Sequence, residues 1–485
     1  MSRRPLALTL AIAALLPATA FAEDLLQTYD LARTGDPTYS EAEFRRLATK
    51  EGAVQARGQL LPQINGTAEL SRTHSNSRDG FATTTDLQGN PVRIFSDGIS
   101  NSRGRQYGAS LSQSIFDLGR INTLRSQREL SKAADFTLDN AGGDLITRTS
   151  AAYFNVLVLI ETLAATEAAE AAAKRQFEYA DKRLEVGLAP ITDVHEARAE
   201  YDSARAATIV QRNALQDAYQ ALTQITGTKF VNLKALPDDF RPELPAEQSA
   251  DTWVASALEH NPGLKAVEYQ TKSAEIDVST ARAGHLPTLS FGASYGRNTT
   301  WDGDSSSSSL FSSNGSDGHT RTIGLTLNVP IFSGGITQSQ VRQAIATRDA
   351  TRDVYEQQKR ALERNTRDAY QTLVAGVSEV EARRLAVVSA KAAYDASQVG
   401  LEVGTRTVLD VLINQRTLLQ AQTDYAQAKY NFLQNRLLLD QAAGSLDIDD
   451  LRDINRLLTA DATAQLSPGQ VETGPLPTTP APQNK

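Results

Sequence analysis

LEVGLAPITDV at Leu184–Val194 and LEVGTRTVLDV at Leu401–Val411 are one stretch written twice, 217 residues apart. Leu, Glu, Val, Gly, Asp and Val stand at the same places in both. In each copy a long helical pattern runs into a glycine, Gly187 or Gly404, stops, and restarts within a few residues. Glycine most cheaply takes the left-handed conformation that closes a helix, and Pro190 suits a first helical turn. Each copy is therefore expected to be the tip of a helical hairpin. Two equivalent tips imply an internal duplication.

The rest of the chain repeats around them. Asp36-Pro37 corresponds to Asn261-Pro262, and Leu61-Pro62 to Leu286-Pro287. Ser114-Ile115-Phe116 with Gly119 corresponds to Pro330-Ile331-Phe332 with Gly335, and Gly227 to Gly444. Each half reads helix, strand, loop, strand, very long helix, tip, shorter helix. The first repeat is expected over 23–250, with strands near 63–73 and 106–116, a long helix over 119–184, a tip at 185–190, a return helix over 190–226 and a waist at 228–248. The second is expected over 251–458, with strands near 288–297 and 321–332, a long helix over 333–401, a tip at 402–407, a return helix over 407–443 and a waist at 445–458. Shorter helices are expected at Asp24–Arg33, Ser40–Arg57 and Lys265–Arg282.

Between the helices the period changes to two. Tyr107, Ala109, Leu111, Gln113 and Ile115 alternate with Gly108, Ser110, Ser112 and Ser114. Leu289, Phe291, Ala293 and Tyr295, then Ile323, Leu325, Leu327, Val329 and Ile331, alternate in the same way. A strand with one face in lipid and one in water gives this pattern, and so does a half-buried soluble sheet. Arg72–Gln106 and Arg297–Thr320 are polar and nearly devoid of core residues, which favours surface loops of an outer-membrane barrel. Trp301, Tyr295, Tyr107 and Phe332 stand where an aromatic girdle would lie. Four strands cannot close a barrel, and open edges are not tolerated in lipid, so copies of the chain must pool their strands.

The helical pattern from Gly119 to Leu184 would span ~100 Å, its return helix only ~55 Å. The expectation is that a short helix of the other half stacks end to end with each return helix. Val411, Leu418, Tyr425, Phe432 and Leu439 recur every seven residues, with Leu412, Leu419, Ala426 and Leu433 beside them. Two adjacent stripes suit a helix packed on both sides, as in a wall of helices; a two-stranded coiled coil shares the period.

Composition narrows the function. Residues 1–22 read as a secretory signal ending in Ala20-Phe21-Ala22. Without it the chain carries 47 basic and 57 acidic residues, against nucleic-acid binding. Cysteine is absent, so there are no disulfides and no thiol chemistry. Gly292-Ala293-Ser294-Tyr295-Gly296 fits G-x-S-x-G but lies in an alternating strand, not the strand-to-helix turn that a nucleophile needs. The five histidines show no ligand spacing, and no phosphate-binding loop is present, so no catalytic residue, metal or cofactor is expected. The tail 459–485, rich in proline, is expected to be disordered. The informative polar groups are Thr192, Asp193, Arg406 and Asp410 at the tips. If copies meet around an axis, Asp410 forms a ring of carboxylates that attracts cations and raises their pKa by mutual repulsion.

At QSIFDLG (113–119), SAAYFNVL (150–157), VGLAPITDVHEARAEYD (186–202), GHLPTL (284–289) and VGTRTVLDVL (403–412), the chain resembles the TolC family of outer-membrane efflux channels, over roughly residues 23–458. The resemblance implies a mostly α-helical protein with a membrane β-barrel portion: a homotrimer whose twelve-stranded barrel in the outer membrane continues into a twelve-helix tunnel in the periplasm. It implies a passive conduit for type I protein secretion or drug efflux, joined by a periplasmic adaptor to an inner-membrane ABC or proton-driven transporter. It makes Thr192, Asp193 and Arg406 members of the periplasmic gate and Asp410 a constriction ring. It places adaptor docking at Arg183, Val186, Gly187, Leu188, Val403, Gly404 and Thr405. Two positions depart from the family pattern: Leu401 stands where the gate has a tyrosine, and Ile413 where it has a second acidic ring. Both departures imply easier opening and weaker cation block. The rival reading from another class is a trimeric coiled-coil adhesin or periplasmic spacer, which has no use for a twice-repeated strand pair.

Overall fold

The computed structural model describes residues 23–188, 190–237, 240–244, 249–303 and 316–462, so the signal-like segment 1–22 and the serine run Ser305–Ser309 lie outside it. In chain order the elements are α1 (Leu25–Gly35), α2 (Pro37–Gly58), β1 (Gln63–Thr85), β2 (Pro91–Phe116), α3 (Leu118–Glu185), α4 (Ile191–Thr226) and β3 (Lys234–Ala235). The second half continues with α5 (Ala250–His260), α6 (Pro262–Ala283), β4 (Thr288–Gly303), β5 (Asp317–Asn328), α7 (Ile336–Glu402), α8 (Val408–Ala443), α9 (Ile448–Leu457) and β6 (Ala460–Asp461). Of the described residues, those within 23–45, 135–265 and 356–462 form one compact unit, and those within 46–134 and 266–355 the other.

The second unit holds one antiparallel sheet in the order β1-β2-β4-β5. The register puts Ile64, Leu111, Ala293 and Ile323 in one row and Gln63, Ser112, Gly292 and Gly324 in the next. Because residues directly opposite share a face, one face is apolar and the other small and polar. Ile64, Ile323, Leu325 and Leu327 are exposed on the apolar face. A bulge between Ser114 and Phe116 lets Phe116, not Ile115, stand opposite Leu289 on that face.

Three strand expectations are corrected here. The loop expected over 72–106 is mostly strand: β1 and β2 pair out to Thr85 and Pro91, joined by a turn in which Asp86 accepts from the amides of Gln88 and Asn90 at 2.9 and 2.8 Å. Ladder bonds need no apolar side chains, so a polar strand leaves no periodic signal. The loop expected over 297–320 loses both ends to strand, since β4 runs on to Gly303 and β5 begins at Asp317. Conversely, β5 ends at Asn328, short of Val329 and Ile331, because Pro330 has no amide to donate to the ladder.

In the first unit each α1–α2 or α5–α6 junction meets the end of the return helix of its own half. A Cβ on Gly35 would lie 2.4 Å from the Thr226 carbonyl oxygen, and one on Gly444 2.6 Å from the Asn261 amide nitrogen. Asn261 Nδ2 donates to the carbonyls of Gln441 and Ala442. This corrects the expected stacking on the other half; a helix-length argument fixes how much is missing but not which copy supplies it. The waist also differs from the sequence reading. Strand β3 pairs with β6, which lies in the tail expected to be disordered, while 463–485 lie outside the described residues. The buried Tyr153 hydroxyl donates to the carbonyl oxygens of Glu23 and Lys234 and closes the same waist.

Both stripes of α8 are used. Val411, Phe432 and Leu439 of one, and Leu412, Ala426 and Leu433 of the other, are buried within the protomer. Helix α8 is tied antiparallel along α3 by Gln415 to the Ala169 carbonyl, Lys429 and Tyr430 to Glu161, Gln434 to the Thr147 carbonyl and Gln441 to Asp144.

Candidate functional site at the helical tips

Each tip closes as the repeated glycine dictates. Gly187 has φ 74° and Gly404 φ 77°, the left-handed region where a Cβ is strained. The Gly187 amide donates to the Leu184 carbonyl at 2.9 Å and the Leu188 amide to that of Arg183 at 2.8 Å. The second tip reproduces this with Gly404 to Leu401 at 3.1 Å and Thr405 to Gly400 at 2.8 Å. Arg183 reinforces the first tip by donating from Nη2 to the Leu188 carbonyl at 3.3 Å.

The restarting helices differ in their caps. Pro190 precedes α4 with no side-chain cap, whereas Thr407 and Asp410 form a reciprocal capping box on α8. The Asp410 carboxylate accepts from the Thr407 amide and hydroxyl, both at 2.9 Å, and lies 4.0 Å from Arg406. The Thr407 amide above all, with its hydroxyl and then Arg406, holds the Asp410 carboxyl below the usual carboxylate range. That is the opposite direction from the one expected for facing carboxylates of several copies.

The two tips pack on each other through Ala180, Val194, Ala197, Leu401, Val408, Val411 and Leu412. Leu401 is only 7% exposed, so the side chain at the position expected to depart from the gate pattern supplies apolar contact inside this cluster. At the ends, Val186, Leu188 and Val403 are each 68% exposed, apolar knobs that nothing in the protomer covers. Thr192 and Arg406 are exposed and Asp193 is half-buried. Among the described residues, no hydrogen bond or ion pair joins Thr192 or Asp193 to Arg406.

The polar tie that does join the two return helices is one that the sequence reading missed. Arg416 on α8 makes a two-pronged ion pair with Glu200 on α4, Nε to Oε1 at 2.9 Å and Nη2 to Oε2. A signal was available: Glu200 and Arg416 are 216 residues apart, one short of the tip repeat, so opposite charges stand at adjacent equivalent positions. Such a pair, exposed on its arginine side, is worth about 1 kcal/mol. Arg416→Gln is therefore expected to speed amide exchange in α4 between 191 and 203 roughly fivefold, with the waist unchanged. Exchange that stays at the wild-type rate in that segment would show the pair to be idle.

Gly292–Gly296 lies within β4, and no group of three or more metal-ligating side chains occurs among the described residues. Among those residues, no helix is long and apolar enough to cross a membrane.

Residues 28–228 and 253–445 match the model of a family described as outer membrane efflux protein. The chain is 33% identical over 441 residues to outer membrane protein TolC of Escherichia coli (strain K12), covering 90% of this chain and 85% of that one. It is 27% identical to the alkaline protease secretion protein AprF of Pseudomonas aeruginosa, over 90% of this chain and 88% of that one. Among solved structures, the Campylobacter jejuni CmeC outer membrane channel shares the fold with a TM-score of 0.70 at 19% identity, covering 90% of each chain.

Proposed function

The chain belongs to the outer membrane efflux protein family, and from that premise we propose a passive, gated exit duct for type I protein secretion, multidrug efflux or both. The observation that carries the reading is the sheet: four strands, an exposed apolar face, and edge strands β1 and β5 each unpaired on one side among the described residues. Such a sheet is not tolerated in lipid alone, and three copies joined edge to edge give a closed twelve-stranded barrel. The barrel lies in the outer membrane and the helices form the wall of a tunnel in the periplasm.

Energy comes from elsewhere. A periplasmic adaptor docks on the exposed knobs Val186, Leu188 and Val403 and the backbone of Gly187, Gly404 and Thr405 beside Arg183, and links the duct to an inner-membrane ABC or proton-driven transporter. Thr192, Asp193 and Arg406 close the gate between copies, and Asp410 lines the constriction. With Ile413 exposed in place of a second carboxylate, one acidic ring remains, and block by trivalent cations is weaker than in a two-ring channel.

A strain lacking this gene is expected to lose secreted proteins, drug tolerance or both, with restoration by the intact gene. Loss of secretion alone marks a dedicated secretion duct, and loss of both a shared exit. An unchanged secreted profile together with unchanged drug susceptibility contradicts the proposal.

A further inference from the structure

The apolar face of the sheet does not end at its aromatic residues. Moving from the helix-connected end toward the hairpin end, its rows read Phe116, Leu289 and Leu327; Gln113, Phe291 and Leu325; Ile64, Leu111, Ala293 and Ile323; Ala109, Tyr295 and Arg321; then Tyr107, Arg297 and His319. The next two rows on the same face hold Leu70 and Arg105, then Arg72, Arg103 and Trp301. From the Leu289 row to the Arg105 row is ten residues, ~33 Å along the strand and ~25 Å of height at the tilt usual in barrels. Arg321 and Arg297 open the charged zone within that span, and Arg105, Arg103 and Arg72 stand at its upper end, at the height where head groups begin.

Their partners differ. Arg297 is satisfied by a two-pronged pair with Asp317, at 3.0 and 2.6 Å, and Arg321 lies over the Tyr295 ring at 5.6 Å. Arg72, Arg103 and Arg105 are exposed and make no ion pair among the described residues. Arg72 stands directly opposite Arg103 in the ladder, an arrangement of like charges that costs stability unless an anion sits between them. Glu69 alternates onto the other face, and Asp317, which shares the arginine face in the Arg105 row beyond Thr299, is already engaged by Arg297 and Thr299.

We infer that Arg72, Arg103 and Arg105 form an outward-facing site for the phosphate groups of a glycolipid in the outer leaflet. The guanidinium fork matches phosphate oxygens two at a time, and three such forks within two adjacent rows suit a head group carrying more than one phosphate. Below the site the same face carries Tyr107 and Tyr295 beside Arg297 and Arg321 and then the apolar rows, which is the profile of a lipid with its acyl chains attached. The hairpin end, remote in the chain from α2 and α3, selects the outer leaflet. This inference rests on the membrane reading proposed above.

The test uses the purified full-length protein in detergent, titrated with bisphosphorylated lipid A, with the same lipid after enzymatic dephosphorylation, and with inorganic phosphate, followed by native mass spectrometry. The expected result is binding of the phosphorylated lipid at least tenfold tighter than the dephosphorylated one, with no comparable binding of inorganic phosphate. The Arg72→Gln/Arg103→Gln/Arg105→Gln variant is expected to lose that preference. Equal binding of the two lipids by the wild-type protein overturns the inference whether or not the variant folds, and saturation by inorganic phosphate alone overturns the lipid assignment. Bilayer conductance of the same preparation separates the two levels: a conducting protein without lipid preference loses only the arginine site, whereas a non-conducting one loses the membrane reading beneath it.

Discussion

Lys429→Met is expected to lower the stability of the helical unit by about 3 kcal/mol, the low end of the cost of breaking a buried ion pair. Lys429 is 2% exposed in the middle of α8, and its ammonium lies 3.0 Å from Glu161 Oε1 on α3. The same carboxylate oxygen accepts from the Tyr430 hydroxyl at 2.8 Å. Burial first, and then the Glu161 charge, push the Tyr430 phenol far above its ordinary range, so it remains a donor at any physiological pH. Methionine keeps the apolar stem but leaves the Glu161 charge with one donor in place of two. The double variant Lys429→Met/Glu161→Gln removes the uncompensated charge and is expected to recover most of the loss. Denaturant unfolding followed by helical circular dichroism measures both; a single variant as stable as the wild type would show that the pair contributes nothing.

Asp440→Asn acts in the opposite direction, by an amount that grows between about pH 4 and pH 7 and stays constant above that. Asp440 is 8% exposed in the last turn of α8, where the helix presents its negative end. Burial above all, with the charge of Asp450 and then Asp447 adding and Arg436 opposing, pushes its carboxyl up to about 7. A folded pKa raised above the unfolded value means that the full contribution to stability is present below about pH 4. That contribution is lost as pH rises toward 7 and does not fall further above it. Asparagine has no proton to lose and keeps the backbone carbonyl that accepts from Gly444, Ser445 and Leu446. The variant is therefore expected to match the wild type at pH 4 and to exceed it by about 2–4 kcal/mol at pH 8. An equal gain at both pH values would assign the effect to packing and not to the proton.

What the sequence made legible was whatever repeats or keeps a period. The paired stripes of α8, the glycines of the tips and the two alternating strand pairs all announce themselves because a physical period, seven or two, runs through them. The pairing of β3 with β6 has no such mark: each is two residues long, and they are 226 positions apart at Lys234 and Ala460. The outer halves of β1 and β2 were hidden because their ladder is backbone alone. At the tips, the glycines and the Asp410 position were readable from the repeat, but Asp410's bond to Thr407 and the tie from Arg416 to Glu200 depend on how the helices are rotated against each other. Leu401 read as a lost hydrogen bond, and the sequence did not reveal that it belongs to a buried apolar cluster with Val408 and Val411.

On the function proposed above, copies of this chain pool their open-edged sheets into one hollow barrel. Single-channel recording of the purified full-length protein in a planar lipid bilayer tests it most directly. Discrete conductance steps are expected. Protein that incorporates into the bilayer and passes no current would mean that the helices form a solid stalk and that the duct does not exist.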